Sequence, residues 1–149
     1  LRENIRNTAN IYNWTAEKTR LGTDVIANPV EGPTPQTEVI NDQRQMIHYL
    51  EVFFRRYLED EHLSNGSLAV VVDDVDSFVG LFPDGIAKWK FTRKPIKCED
   101  EISVFSVAEI KGLEADMVLY IHGEDASENE NYIAYTRAKY YLIELVKKY

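Results

Sequence analysis

Leu68-Ala69-Val70-Val71-Val72 is a run of five apolar residues that ends abruptly in Asp73-Asp74-Val75-Asp76-Ser77. It shows no alternation of apolar and polar residues, so it has no face to turn toward water. A continuous run rich in β-branched residues is what a central strand of a parallel sheet needs when both faces are covered. Three further apolar runs lie in the last third: Ile102-Ser103-Val104-Phe105, Met117-Val118-Leu119-Tyr120-Ile121 and Tyr141-Leu142-Ile143-Glu144-Leu145-Val146. Asp24-Val25-Ile26-Ala27 is a short strand candidate. Ala87 to Thr92 alternates apolar and polar residues, as an edge strand does.

Two stretches carry the helical period instead. Over residues 3–18, Ile5, Ala9, Tyr12 and Ala16 share a stripe with Ile11 and Trp14 beside it, and Gly22 is a plausible stop. From Glu38 to Leu58, residues Met46, Ile47, Leu50, Phe53, Phe54, Tyr57 and Leu58 recur at 3–4 spacing and define one broad apolar face. Glu59-Asp60-Glu61 reads as its solvated end. Loops or turns are expected at 28–37, at Asn65-Gly66, at Pro83-Asp84-Gly85, and from His122 to Asn131. Strands alternating with helices predict an α/β fold with a mostly parallel sheet flanked by helices.

The 149 residues suit one domain, 1–149, large enough for a core without staples. The single cysteine, Cys98, provides neither a disulfide framework nor a cysteine-based zinc site. No apolar run approaches the roughly 18 residues of a membrane span, so no membrane partner and a cytoplasmic setting are expected. The chain starts at Leu1 inside an expected helix, which suggests a piece of a longer polypeptide. A net charge of −8 argues against strong nucleic-acid binding by the domain alone, but permits it to form one wall of a composite channel. Lys88, Lys90, Arg93 and Lys94 form the notable basic cluster. Lysines on an edge strand also serve to block aggregation.

Asp73 to Ser77 supports three readings. An apolar strand ending in two acids is similar to a Walker B element, but the sequence contains no G-x-x-x-x-G-K-[ST] to cradle phosphate. Asp74-Val75-Asp76 resembles the DxD of haloacid-dehalogenase phosphatases, where the first acid is the nucleophile, but Phe78 stands where Thr or Val is wanted. The third reading is a helix cap, Asp76 or Ser77 preceding Phe78-Val79-Gly80-Leu81-Phe82.

Two signatures frame the last third: Lys111-Gly112-Leu113-Glu114-Ala115-Asp116 and Tyr132-Ile133-Ala134-Tyr135-Thr136-Arg137-Ala138-Lys139. In this order, about twenty residues apart, the pair resembles motifs V and VI of UvrD/Rep-type superfamily 1 helicases, which commonly read KGLE(W/F)D and Y(V/I)AxTRA. Asn4-Ile5-Arg6-Asn7-Thr8 is similar to the same family's motif IV, usually NYRST; Ile5 replaces the tyrosine that stacks on adenine, and Asn7 replaces the serine.

The resemblance implies a three-layer RecA-like domain, the C-terminal (2A) half of an ATP-dependent DNA helicase or translocase. Arg137 and Arg6 would be the catalytic arginines directed at the γ-phosphate. Lys111, Gly112 and Glu114 would join them in binding nucleotide, with Glu114 on the ribose and Gly112 keeping the backbone close. Ser106 falls where the family has a threonine touching DNA phosphate, and Ala108 where many members have a DNA-contacting histidine. The implied cofactor is ATP with Mg²⁺, whose metal ligands belong to an N-terminal RecA-like domain of the same chain; no metal ligand is expected here. The implied partners are that domain and single-stranded DNA, with RNA as an option. Arg6 and Lys111 stand 105 positions apart, too few for the family's large 2B insertion, so a compact variant is expected, inactive as an isolated fragment. Two alternatives stand beside this: a phosphatase-like domain using Asp74 and Asp76, and a non-catalytic nucleotide-binding or interaction module.

Overall fold

The computed structural model describes residues 2–3, 9–19, 25–26, 34–93 and 100–149. In chain order these form β1 (Arg2–Glu3), α1 (Ala9–Thr19), β2 (Val25–Ile26), β3 (Gln36–Ile40), α2 (Gln43–Phe54), a π-helical continuation (Arg55–Asp60), β4 (Leu68–Val72), α3 (Val75–Leu81), β5 (Lys90–Thr92), β6 (Glu101–Ser106), α4 (Val107–Ile110), β7 (Ala115–Gly123), α5 (Glu128–Thr136) and β8 (Ala138–Lys147). Six strands make one sheet in the order β3-β8-β7-β4-β6-β5, and every pairing in it is parallel. β1 and β2 pair separately, also in parallel.

Strand alternation sorts the core into two layers, one on each face of the sheet. Leu68, Val70 and Val72 of β4, Met117, Leu119 and Ile121 of β7, and Ile143 and Leu145 of β8 face α2 and α3. The intervening Ala69, Val71, Val118, Tyr120 and Leu142 face α1, α4 and α5. β4 is buried at all five positions, as its uninterrupted apolar run demands. This is the three-layer α/β arrangement expected of a RecA-like domain. On the α2 face, Phe78 packs 5.0 Å from Phe91, and Phe54 lies 5.9 Å from both Phe91 and Trp89, tying edge strand β5 to the helices.

Several boundaries differ from the sequence reading. The helix expected from Glu38 begins at Gln43; Glu38 to Ile40 belong to β3, which pairs with β8 at the sheet edge. Residues 36–39 are exposed, so the edge strand carries no apolar pattern and its β-branched residues merge with the helical period downstream. Asp42 starts α2 by accepting the Gln45 N–H at 2.8 Å. Of the predicted apolar stripe, Met46, Leu50, Phe53 and Phe54 are buried while Ile47 is exposed; Tyr57 and Leu58 lie on the π-helical segment.

In α1 the buried centre is Ile11 and Thr15, with Trp14 packed beside them; the expected start at residue 3 is replaced by strand β1. The strand expected over Ala87–Thr92 shortens to Lys90–Thr92. Ile86 to Trp89 instead form a tight reversal with Ala87 at φ 54°. Gly85 sits under this turn, where a Cβ would lie 1.9 Å from the Trp89 carbonyl oxygen. His122 and Gly123 extend β7 rather than opening the loop. Asn4 to Thr8, with Arg6, and Cys98 lie outside the described residues.

Candidate functional site

β7 and β8 are neighbours in the sheet, so the segments that enter them meet at the amino end of the strands. Lys111 to Glu114 lead into β7, and Arg137 is the C-cap of α5, one residue before β8. The Ala115 N–H donates to the Arg137 carbonyl at 3.0 Å. The Arg137 guanidinium reaches the Leu113 carbonyl and Thr136 Oγ1, each at 3.5 Å. A β-bulge follows: Ala138 is level with Ala115 but Tyr141 with Met117, so β8 holds one extra residue. Such a bulge bends the strand and re-aims its side chains. Lys139 in the bulge reaches Glu114 Oε1 at 3.9 Å.

Gly112 has φ +89°, a conformation that L side chains rarely adopt, and nothing lies within 4 Å of where its Cβ would project. The backbone on that side is therefore open to an approaching ligand. Two cations (Arg137, Lys139), one carboxylate (Glu114) and open backbone bring donors for a phosphate group beside an acceptor for sugar hydroxyls. α5 places Glu128 and Glu130 in its first turn, a helix length away from Arg137.

Ser106 is at the other end of the sheet. It closes β6 level with Val72 of β4, which is level with Ile121 of β7. Six residues of β7 separate that level from Ala115, about 20 Å along the strand. Ser106 caps α4 in a reciprocal pair: its Oγ accepts the Glu109 N–H at 3.1 Å, and Glu109 Oε1 accepts the Ser106 N–H at 3.0 Å. The Ser106 N–H, followed by the nearby Arg93, holds the Glu109 carboxyl below its ordinary value. Ala108 beside it is exposed.

Glu114 and Arg137 directly precede the amino ends of β7 and β8, whereas Ser106 closes β6 at its carboxyl end; Lys111, the C-cap of α4, stands between the two positions along the chain. α4 and the turn after it carry the chain back across the sheet between the two positions.

The carboxyl ends of β4, β7 and β8 hold a cavity of about 290 Å³ lined by Met46, Val72, Phe78, Asp73, Lys147 and Tyr149, among others. Asp74, rather than Asp76 or Ser77, caps α3. Its carboxylate accepts from Ser77 N at 3.1 Å and Ser77 Oγ at 2.9 Å, which lowers its pKa. Asp76 is paired with Arg93, and Asp73 with Lys147 at 3.3 Å. All three acids therefore have structural partners, and among the described residues no group of three or more His, Cys, Asp and Glu could hold a metal ion. Nor is any described helix long and apolar enough to cross a membrane.

One cluster escaped the sequence reading. Glu144 and His122 are both buried, 2 % and 4 % exposed, and join Oε2 to Nε2 at 2.6 Å. The buried Tyr135 hydroxyl donates to the same oxygen. Burial alone would lower the His122 pKa, but the bond to Glu144 and the Gly123 carbonyl outweigh it and raise the value. Burial alone would raise Glu144; its bonds from His122 and Tyr135 outweigh that and lower it. The available signal was a lone acid inside Leu142-Ile143-Glu144-Leu145-Val146 and a histidine ending an apolar strand, because buried charges require partners.

No family model matches the sequence, and no curated protein matches it either. Among solved structures, the fold is similar to the crystal structure of the C-terminal domain of a possible DNA helicase from Lactobacillus plantarum WCFS1. The TM-score is 0.69 at 16% sequence identity, over 95% of this chain and 86% of that chain. The chain therefore shares the three-layer α/β fold of that helicase C-terminal domain.

Proposed function

We propose that residues 1–149 act as the C-terminal motor domain of an ATP-dependent DNA helicase or translocase of the UvrD/Rep-type superfamily 1, in a compact form without the 2B insertion. The observation that carries this reading is the meeting of the two motifs across 24 positions of chain: the guanidinium of Arg137 against the Leu113 carbonyl at 3.5 Å, beside the open backbone of Gly112. The similarity of fold to a helicase C-terminal domain supports it.

In this reading ATP with Mg²⁺ is held mainly by an N-terminal RecA-like domain of the same polypeptide, which supplies the metal ligands. This domain closes over it with its amino-end cluster. Glu114 accepts from the ribose hydroxyls, Gly112 admits close backbone approach, and Lys111 adds positive charge. Arg137, with Arg6 preceding α1, places guanidinium donors on the γ-phosphate oxygens, where charge builds as the phosphoryl group transfers. Single-stranded DNA would lie at the far end, touching Ser106. The separation of about 20 Å along the strands keeps the two ligands apart, so motion of this domain as a unit can couple them.

The test is DNA-stimulated ATP hydrolysis by the polypeptide carrying both domains. Arg137→Ala is expected to lower kcat about a thousandfold with the fold intact. Arg137→Lys is expected to fall nearly as far, because a point charge does not replace a planar fork. Residues 1–149 alone are expected to turn over no ATP. Full activity in Arg137→Ala refutes the arginine-finger role.

A further inference from the structure

We propose that Glu144, clamped by a doubly protonated His122, is a positioning residue that sets the last turn of α5 and with it Arg137. The proposal rests on the arginine-finger reading and adds the device that holds the finger in place.

The carboxylate of Glu144 is approached from four elements besides its own. Oε2 accepts from His122 Nε2 on β7 and from the Tyr135 hydroxyl on α5. Oε1 accepts from Thr37 Oγ1 on β3 at 3.0 Å and faces Lys18 Nζ on α1 at 3.9 Å. Glu144 itself lies on β8. With each oxygen approached twice, the carboxylate is saturated and has one orientation. His122 is equally constrained: Nε2 faces Glu144, and Nδ1 faces the Gly123 carbonyl at 2.6 Å. Both nitrogens meet acceptors, so both carry protons and the ring is an imidazolium.

Tyr135 is two residues from Arg137 and is buried, fixing the last turn of α5 to the core. Its ring packs edge-on against Trp14 of α1 at 4.6 Å and Tyr120 of β7 at 5.9 Å. Beyond it the helix closes tightly: Thr136 Oγ1 donates to the Tyr132 and Ile133 carbonyls, and the Arg137 N–H donates to Ala134 at 3.3 Å. Ala138 then enters β8. Arg137 therefore hangs between two fixed points, Tyr135 and the start of β8, and the Tyr135 point is set by Glu144. The same carboxylate meets Lys18 of α1, the helix that follows Arg6 in sequence. A single buried group thus docks both helices adjoining the candidate arginines.

The groups facing His122 are Glu144 from β8, Asp73 after β4 and Tyr120 stacked at 4.3 Å from β7, while Tyr135 from α5 and Lys18 from α1 meet the far side of the pair through Glu144. Tyr120 and Tyr135 are pushed well above the ordinary tyrosine range, first by burial, so neither loses its proton below pH 9. Deprotonation of His122 removes one of its two donors and loosens the clamp.

The experiment follows ATP hydrolysis from pH 6 to 9.5 in the two-domain polypeptide with a saturating oligo-dT strand. It compares wild type, Tyr135→Phe, Glu144→Gln and Arg137→Ala. Tyr135→Phe keeps the ring and loses only the hydroxyl; kcat is expected to fall about tenfold at unchanged KM, the worth of one charge-assisted hydrogen bond. Glu144→Gln is expected to move the alkaline limb of the pH profile down by about one unit or more, as loss of the adjacent negative charge requires. If Arg137→Ala is inactive while both other variants keep the wild-type kcat and pH limb, the positioning role is refuted and the arginine-finger reading stands.

If Arg137→Ala is fully active, the arginine-finger reading fails and nuclear magnetic resonance of residues 1–149 decides the coupling. An Arg137 amide that shifts with the His122 ring titration upholds the clamp as a structural device. An amide blind to that titration overturns it.

Discussion

Raising the pH from 6 to 9 is expected to cost this fold about 2 kcal/mol through one residue, His122. Its two ring nitrogens lie 2.6 Å from the Gly123 carbonyl and 2.6 Å from the Glu144 carboxylate. Both partners only accept, so the neutral ring, with a single N–H, leaves a lone pair facing an oxygen. Loss of one charge-assisted hydrogen bond in a buried site costs about 1.5–3 kcal/mol. The sign follows from the raised pKa of His122 in the folded state: its contribution is complete below the ordinary value of 6.5 and disappears as the pH rises through the folded value. Glu144 acts in the opposite sense. Its lowered pKa gives a contribution complete above 4.5 that disappears as the pH falls through the folded value. The pair therefore stabilises most between these two values.

Urea unfolding followed by far-ultraviolet circular dichroism at pH 6 and pH 9 measures the loss, which corresponds to about 4–8 °C in Tm for a chain of this size. His122→Gln has no group to titrate there and is expected to lose this pH dependence. The other two histidines, His48 and His62, are exposed. Equal losses in wild type and His122→Gln would refute the imidazolium assignment.

Further outcomes are expected at Ser106 and Gly112. Ser106→Ala removes the acceptor that caps α4 and is expected to cost about 1 kcal/mol in urea unfolding. Ser106→Asp keeps the cap but sets a negative charge toward any bound phosphate, so stability stays near wild type. Fluorescence anisotropy with an oligo-dT strand on the two-domain polypeptide should then show binding weakened about fivefold, the effect of ~1 kcal/mol of repulsion; unchanged affinity would remove Ser106 from the DNA path. Gly112→Ala meets no steric obstacle but must hold φ near +89°, at a cost of about 1–2 kcal/mol. Unaltered urea stability in that variant would show that the turn relaxes without penalty.

The buried strands were legible because each of β4, β6, β7 and β8 is covered on both faces and so reads as an apolar run. β3 was not, because a strand exposed over Gln36 to Val39 has no apolar pattern to display. Its identity comes from pairing with β8, a contact more than a hundred residues away in sequence. The exact cap of α3 was also hidden, since Asp74, Asp76 and Ser77 are all competent cap residues and only backbone geometry selects Asp74. In α1 the inward face turned out to centre on Ile11 and Thr15, because Thr15 is polar and drops out of any count of apolar residues.

The site residues were named from two short strings, but their adjacency depends on strand order, which a string does not contain. Strand order also decides which end of the sheet they occupy. Ligands of open α/β sheets lie beyond the strand carboxyl ends when one domain holds the ligand by itself. Here that end carries Asp73, Asp74 and Lys147, already committed to one another or to Ser77, while Arg137 and Lys139 of the second motif lie at the amino end. A domain that held its own nucleotide would have little use for that placement. A domain that closes over a nucleotide held elsewhere needs its arginine at a rim, on a helix end that is firmly anchored behind it. Arg137 meets the first condition as the C-cap of α5, and Tyr135, bonded to Glu144, meets the second. The buried His122–Glu144 pair is thus more than a tolerated polar defect in a strand interior. It stands where α1, α5, β3, β7 and β8 converge, and a rim-mounted guanidinium depends on that convergence for its position.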